Sequence, residues 1–290
     1  MDPTFRFDSI DILINRNSLR KFFKFCLGSA QDSFRINLHL VNNTLIVERC
    51  VRRAEELLNG STLSGFGHNF ERAVTRLPTG LLNSSAHHRV LRYKLGGLEC
   101  AVRFEVDASY NVPKGDGTPG AEEPSYAAHS GRVGSLEAGI SLMSLGNSAD
   151  GNYVPVGAIS RGPGTSQTSV TELKSCKTSK KAHRELQQLW FGRTRYLITG
   201  YHENGMFDRV KVDDLQERLM AWENNEAHQT VLRKMVVLLS RLRDVVGMTE
   251  GKSCVAIFQK GGKDPALRVF ASTSGKRPLP NSIIEKFWKT

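Results

Sequence analysis

Leu98-Glu-Cys-Ala-Val-Arg-Phe-Glu-Val-Asp-Ala108 is the stretch on which the reading of this chain turns. Side chains on a strand alternate between two faces. Val102, Phe104 and Val106 fall on one face, and Arg103, Glu105 and Asp107 on the other. The first set predicts a buried surface. The second sets two carboxylates side by side. Adjacent carboxylates repel, and each is driven toward its protonated form unless a cation stands between them. A hard divalent cation such as Mg²⁺ or Mn²⁺ takes oxygen ligands and relieves that repulsion. The solvated face of an edge strand shows the same pattern.

A second strand, expected over Ser169 to Lys174, has the same construction. Leu173 points inward, and Glu172 and Lys174 share the outer face. Glu172 adds a third carboxylate. Lys174 adds a fixed cation suited to orient a water or to meet charge growing on phosphate oxygens. An exposed strand carrying a salt bridge has this spacing too.

Between the two strands the composition changes. Residues 111–169 hold 11 of the 26 glycines and 5 of the 10 prolines. Such a segment is expected to be a flexible, low-complexity insertion. Its formal charge is −2, whereas the whole chain carries +11, so the remainder carries +13. The basic character belongs to the folded part, and a basic surface attracts polyanions, most often nucleic acid.

Farther out, Asn17 to Phe25 predicts a short basic helix capped by Asn15, Asn17 or Ser18. Phe34–Leu40 and Thr44–Val47 predict a hairpin about Asn42-Asn43. Asn69 to Leu77 predicts a helix that stops at Pro78. Helices are expected over Lys180–Phe191 and Glu226–Val246, and strands over Arg195–Tyr201, Cys254–Gln259 and Leu267–Ala271. The mixture lacks a clean βαβ alternation, which predicts a mixed sheet flanked by helices.

The five cysteines, Cys26, Cys50, Cys100, Cys176 and Cys254, are scattered and include no C-x-x-C pair. That argues against a disulfide framework and against a zinc site, and fits a reducing compartment. The N-terminus does not read as a signal peptide, and no apolar run reaches the ~18 residues of a membrane span. A nuclear or cytoplasmic protein, not a secreted one, is expected. His87-His88 reads as a surface loop. Trp190, Phe191 and Trp222 sit in apolar helical patterns and read as core.

An acid-bearing strand followed by an E-x-K strand resembles the PD-(D/E)xK nucleases. Further motifs narrow the resemblance. Ile14-Asn-Arg16-Asn-Ser-Leu-Arg-Lys21 places an Arg at a helix start. Gly67-His-Asn-Phe-Glu71 is a G-x-x-F-E helix motif. Gln188-Leu-Trp-Phe191 is followed by Tyr196-Leu-Ile-Thr-Gly-Tyr201. Taken in order with Glu105-Val-Asp107 and Glu172-Leu-Lys174, these resemble the DXO family of RNA-decapping nucleases, across roughly Ile12 to Phe207.

The resemblance implies a single mixed α/β domain over residues 1–290, with the 111–169 insertion inside it. It implies a metal-dependent hydrolase that removes incomplete or non-canonical caps from RNA 5′ ends, with 5′–3′ exoribonuclease activity in some members. Glu71, Asp107 and Glu172, with the Leu173 carbonyl, would bind one Mg²⁺ or Mn²⁺. Glu105 and Asp107 would bind a second. Lys174 and Gln188 would contact the scissile phosphate or its water, and Arg16 an RNA phosphate. Two ions can activate water on one side of the phosphorus and stabilise the leaving oxygen on the other. Lys177, Lys180, Lys181, Arg184, Arg193 and Arg195 would supply the positive surroundings. The first motif lies so near the N-terminus that a segment the family uses beside its RNA channel is expected to be missing.

Each role has a plainer rival. Arg16 can open a helix and pair with an acid, Glu71 can be a polar helix face, and Gln187 can replace Gln188 by a slip of one. The run from Lys177 to Arg184 can be a solvated helix start. For the whole chain the rivals are a non-catalytic RNA-binding protein that activates a partner 5′–3′ exoribonuclease, and a DNA nuclease.

Overall fold

The computed structural model describes residues 5–50, 65–78, 80–84, 86–111, 126–128, 164–177, 186–261, 266–275 and 277–288. Strand β1 (Ile12–Asn15) runs directly into helix α1 (Arg16–Cys26). Asn15 closes the strand and caps the helix, accepting from the Ser18 N–H at 2.9 Å. Of the three caps the sequence offered, this is the one used, and it makes Arg16 the first helical residue.

The hairpin follows as β2 (Phe34–Val41) and β3 (Thr44–Arg49). Asn42 turns it at φ +50°, a left-handed conformation that Asn tolerates. Helix α2 (Gly65–Val74) lies a few residues earlier than its expected span of 69–77. The Thr75 hydroxyl donates to the Glu71 carbonyl at its end, and the residue before Pro78 is held out of helical geometry. Strand β4 (His88–Leu95) pairs with β5 (Leu98–Glu105) across Gly96-Gly97, so His88 opens a strand and only His87 belongs to the loop.

These strands form a seven-stranded sheet with β11 (Ser253–Phe258) and β12 (Leu267–Ala271), in the order β12-β11-β2-β3-β1-β5-β4. Interior strand β1 is parallel to both neighbours, with Ile14 opposite Val47 and Val102. The other pairings are antiparallel, so the sheet is mixed, as expected. One face carries the main core. Leu19, Phe22 and Phe23 of α1 pack there with Val231, Leu232, Met235, Leu239, Leu242 and Val246 of a 23-residue helix, α5 (Glu226–Met248), which follows α4 (Gln216–Asn224). Each such side chain contributes about 1.5–3 kcal/mol when fully buried. The opposite face is partly covered by α6 (Asn281–Phe287) and Trp288, which pack on Val41 and Ile46.

The stretch that opened the sequence analysis holds the main surprise. Its alternation is real: Val102, Phe104 and Val106 are buried, and Arg103 and Glu105 are exposed. The strand nevertheless ends at Glu105. Val106 donates its N–H to the His87 carbonyl, and Ala108 begins a new strand, β6 (Ala108–Tyr110), in a second sheet. That sheet has the order β10-β9-β8-β6-β7, with β7 (Tyr126–Ala128), β8 (Val170–Lys177), β9 (Tyr196–Glu203) and β10 (Met206–Asp214). β8 and β9 are parallel, joined through α3 (Leu186–Phe191). Asp107 therefore lies on the seam between sheets. A single strand through Ala108 fails because the ladder partners run out: β1 ends opposite Arg103 and β4 opposite Glu105.

Of the expected helix over 180–191, the described residues contain only 186–191. The expected insertion lies outside the described residues except for its ends and 126–128. β1, β4, β10, α4 and α6 are elements the sequence analysis did not anticipate.

Candidate active site

The candidate residues meet where the two sheets adjoin. Arg16 follows β1, Glu105 ends β5, and β8 carries Glu172 and Lys174 toward the same seam. Glu172 is the centre, only 3% exposed. One carboxylate oxygen, Oε1, accepts from Lys174 Nζ at 2.6 Å and from Gln188 Nε2 at 2.5 Å. The other, Oε2, accepts from Arg16 at 3.2 Å. Burial pushes the Glu172 pKa up, but Lys174 and Arg16 outweigh it and hold the group below its ordinary value, so it is a carboxylate.

Asp107 has the opposite balance. Its Oδ2 accepts from the Leu173 N–H at 2.9 Å. Burial first, and then the Glu172 charge, push its pKa up to about 8 despite that bond and the nearby Lys174. Glu71, on α2, is also raised. Burial dominates, His68 opposes it, and Glu105 and Glu172 add to it. The Glu105 side chain is exposed, and its backbone carbonyl lies 3.5 Å from the Arg16 guanidinium. The structure thus gathers Arg16, Asp107, Glu172, Leu173, Lys174 and Gln188 in direct contact. Glu71 and Glu105 stand around them within electrostatic reach.

The donor chemistry suits a hard cation. Two carboxyl groups share the seam, and the Glu172 charge helps push the Asp107 carboxyl toward its protonated form. Mg²⁺ is commonly held by one or two carboxylates with water filling the other positions. Among the described residues no three Asp, Glu, His or Cys side chains cluster closely enough to hold an ion by themselves. The fit is therefore to an ion on Asp107 and Glu172, completed by backbone and water.

A family model described as a domain of unknown function (DUF8563) matches residues 1–288. The chain belongs to the DUF8563 family. No curated protein matches this DUF8563 chain by sequence. Its structure is similar to Rai1 of Scheffersomyces stipitis in complex with (3′-NADP)⁺ and calcium. The TM-score is 0.57 at 14% identity, over 92% of this chain and 68% of that one. It is similar to Candida albicans Rai1 in complex with pU5 and Mn²⁺, with TM-score 0.56 at 12% identity over 92% and 71%. It is also similar to K. lactis Dxo1 in complex with manganese, with TM-score 0.52 at 9% identity over 96% and 69%. The mixed α/β fold implied by the DXO resemblance is the fold this DUF8563 chain has.

Two glycines shape the site, and sequence reasoning did not assign them a role. A Cβ on Gly192 would lie 2.9 Å from the Thr194 hydroxyl and 3.0 Å from the Arg16 guanidinium. A Cβ on Gly200 would lie 2.3 Å from the Phe70 ring. The bare backbone of β9 thus lets α2 settle, and Phe70 fixes the height of its neighbour Glu71. Both glycines fall within or beside quoted motifs, but spacing alone cannot reveal a close approach.

The structure separates Gln188 from Gln187, because the buried one reaches Glu172. Two expected cations are committed elsewhere. Arg193 lies over Trp190 at 4.3 Å, and Arg195 is paired with Asp214. Lys180, Lys181 and Arg184 lie outside the described residues. Trp190, Phe191 and Trp222 are buried core, as expected.

Proposed function

We propose that this chain is a metal-dependent hydrolase of RNA 5′ ends. It removes incomplete or non-canonical caps, such as a triphosphate, an unmethylated cap or an NAD-type cap, and trims RNA 5′ to 3′ in RNA quality control in the nucleus. The observation that carries the reading is buried Glu172, hydrogen-bonded by Arg16, Lys174 and Gln188 beside Asp107, whose carboxyl burial and the Glu172 charge push up. The Rai1 and Dxo1 structures similar to it hold calcium or manganese, and one holds the RNA pU5.

A Mg²⁺ or Mn²⁺ held by Asp107 and Glu172 would polarise a water and neutralise phosphate charge; Glu71 and Glu105 are placed to attract a second ion. The chain's own residues supply the rest. Arg16 and Lys174 are the cations a substrate phosphate meets, and both lie on Glu172 before it arrives. Gln188 offers an amide to a water or a phosphate oxygen while it fixes the Glu172 rotamer. Leu173 orients the Asp107 carboxyl through its N–H. Pre-positioned donors of this kind stabilise charge that develops at the phosphate. No helix among the described residues is long and apolar enough to cross a membrane.

A second reading has its own support. Glu172 is already paired with two cations, and among the described residues no three Asp, Glu, His or Cys side chains form a cage for an ion. That suits a catalytically weak RNA-binding protein which activates a partner 5′–3′ exoribonuclease. One experiment separates the two. Triphosphorylated, NAD-capped and 5′-monophosphate RNAs are incubated with Mn²⁺ and either wild type or Glu172→Ala, and both product and RNA binding are measured. Release of product by wild type and its loss in Glu172→Ala is expected. Equal product from the variant sinks the hydrolase reading. RNA binding without product from any substrate favours the second.

A further inference from the structure

Arg16 and Gln188, the two donors that share Glu172 with Lys174, both touch one turn. Gln188 lies on α3, and its carbonyl accepts the Gly192 N–H at 3.1 Å. The Arg16 guanidinium rests over the Phe104 ring at 5.1 Å. It also lies so close to Gly192 that a Cβ there would come within 3.0 Å of it. The position of residues 191–193 therefore bears on both donors. That turn does not hold itself. A helix end leaves carbonyls without partners inside the helix. Arg193 stands at φ +48°, a left-handed conformation that few side chains adopt.

Its partners come from outside α3. The Tyr93 hydroxyl, on β4, donates to the Phe191 carbonyl at 3.0 Å. The next two carbonyls, Gly192 and Arg193, both accept from Gln167 Nε2, each at 3.1 Å. Gln167 Oε1 in turn accepts from Arg89 of β4 at 3.2 Å. Arg89 also donates to the Thr165 carbonyl at 2.5 Å. Gln167 opens a single 3-10 turn, Gln167–Ser169, which is capped by Ser166 and leads straight into β8. Ser166 and Thr168 are exposed, whereas Gln167 is half-buried. One amide thus joins the large sheet, the approach to Glu172 and the end of α3. Its oxygen faces a guanidinium and its nitrogen faces two carbonyls, and the reverse orientation would set donor against donor and acceptor against acceptor. Met and Glu, of similar length, lack the two N–H donors.

We propose that Gln167 is a positioning residue of the candidate active site, which holds the turn at residues 191–193 so that Arg16 and Gln188 meet Glu172 in fixed geometry. The inference rests on the hydrolase reading, because what it positions are the donors to a substrate phosphate or its water. Gln167 acts through the turn and touches neither. Misplacing such groups by about 1 Å can cost on the order of 100-fold in rate. Loss of the Gln167 amide is therefore expected to slow the reaction in a folded protein, and to do so through Gln188.

The test uses the full-length wild type, Gln167→Met, Gln167→Glu, Gln188→Ala and the pair Gln167→Met/Gln188→Ala, each checked for folding by circular dichroism. Cleavage of 5′-triphosphorylated RNA with Mn²⁺ is followed across substrate concentrations. Gln167→Met is expected to lower kcat ~tenfold or more in the wild-type background, and only ~threefold where Gln188 is already Ala, because residues that act as a unit are not additive. A second readout needs no turnover. The Gln188 side-chain amide, identified by its disappearance in Gln188→Ala, is followed by hydrogen-exchange NMR. It is expected to exchange slowly in wild type and at least ~tenfold faster in Gln167→Met and Gln167→Glu. An unchanged kcat in folded Gln167→Met, equal kcat losses in the two backgrounds, or unchanged exchange overturns the inference. If Gln167→Met does not fold, Gln167→Glu takes its place, alone and in the pair. Failure of both to fold makes Gln167 a stability residue and overturns the inference too. If wild type cleaves no RNA, the hydrolase reading falls, and the exchange readout alone decides whether Gln167 positions Gln188. Cleavage by wild type with the Gln188 exchange unmoved keeps the hydrolase and overturns the positioning role.

Discussion

Asp107 is a residue placed against its own stability. Its carboxyl has an ordinary value of 3.8 and is pushed up to about 8 by burial and by Glu172. The folded protein therefore binds more protons than the unfolded chain between those values, and stability falls as pH rises across that window. The contribution is complete below pH ~4 and gone above ~8. Asp107→Asn keeps an acceptor for the Leu173 N–H and removes the charge. Without metal, the variant is expected to melt higher than wild type at pH 8, by ~2–4 °C for each kcal/mol relieved, with the gap closing toward pH 4. Mn²⁺ is expected to raise the wild-type midpoint and leave the variant's nearly unmoved. Thermal melts at three pH values, with and without Mn²⁺, check both halves; a wild type indifferent to Mn²⁺ contradicts the assignment. The sequence made Asp107 visible as half of a carboxylate pair. It did not show that Glu105 and Asp107 experience different surroundings, one exposed and one on a buried seam, because that difference arises where the ladder changes partners.

At the scale of elements, the seam is held by contacts that leave almost no trace in residue type. α2 reaches β9 through Phe70, which lies on Gly200 and stacks with Phe207 at 5.0 Å. Gly200→Ala forces a methyl into that ring, and overpacking of this kind typically costs about 1–3 kcal/mol. The effect is expected to be relieved by Phe70→Leu in the same chain, so the double variant should be more stable than the sum of the singles predicts. Chemical denaturation of the four proteins gives the coupling; strictly additive losses would place the Gly200 requirement elsewhere. Elements with strong periodicity were legible. α5 and the β2–β3 hairpin fall within two or three residues of their expected bounds. β10 was not, because most of its residues are exposed and its position comes from pairing with β9 alone. α2 was legible as a helix and misplaced in its limits: it begins at Gly65 and ends at Val74, where the Thr75 hydroxyl donates to the Glu71 carbonyl ahead of Pro78.

For the whole molecule, the order of motifs pointed to the right fold while the two-sheet arrangement stayed hidden. Pairing across 156 residues, as between Arg16 and Glu172, is a property no local pattern contains. The same arrangement separates what stabilises the protein from what performs chemistry. The candidate site lies on the seam between sheets. The C-terminal segment seals the far face of the large sheet, where Trp288 is 1% exposed, stacks on Phe7 at 4.7 Å and donates its indole N–H to Thr44 at 2.9 Å. Thr44 in turn donates to the Phe7 carbonyl, tying both ends of the described chain to the β2–β3 hairpin. Trp288→Ala removes the ring and leaves Thr44 without its indole donor. Large-to-small changes of this type cost about 3–5 kcal/mol. None of these atoms touches Arg16, Asp107, Glu172, Lys174 or Gln188. The variant is therefore expected to unfold at markedly lower denaturant, while its specific activity on RNA, measured well below the new midpoint, stays within about twofold of wild type. A large loss of activity in protein shown to be folded would mean that the strap reaches the seam through the sheet, and that the two functions of the fold are not separable.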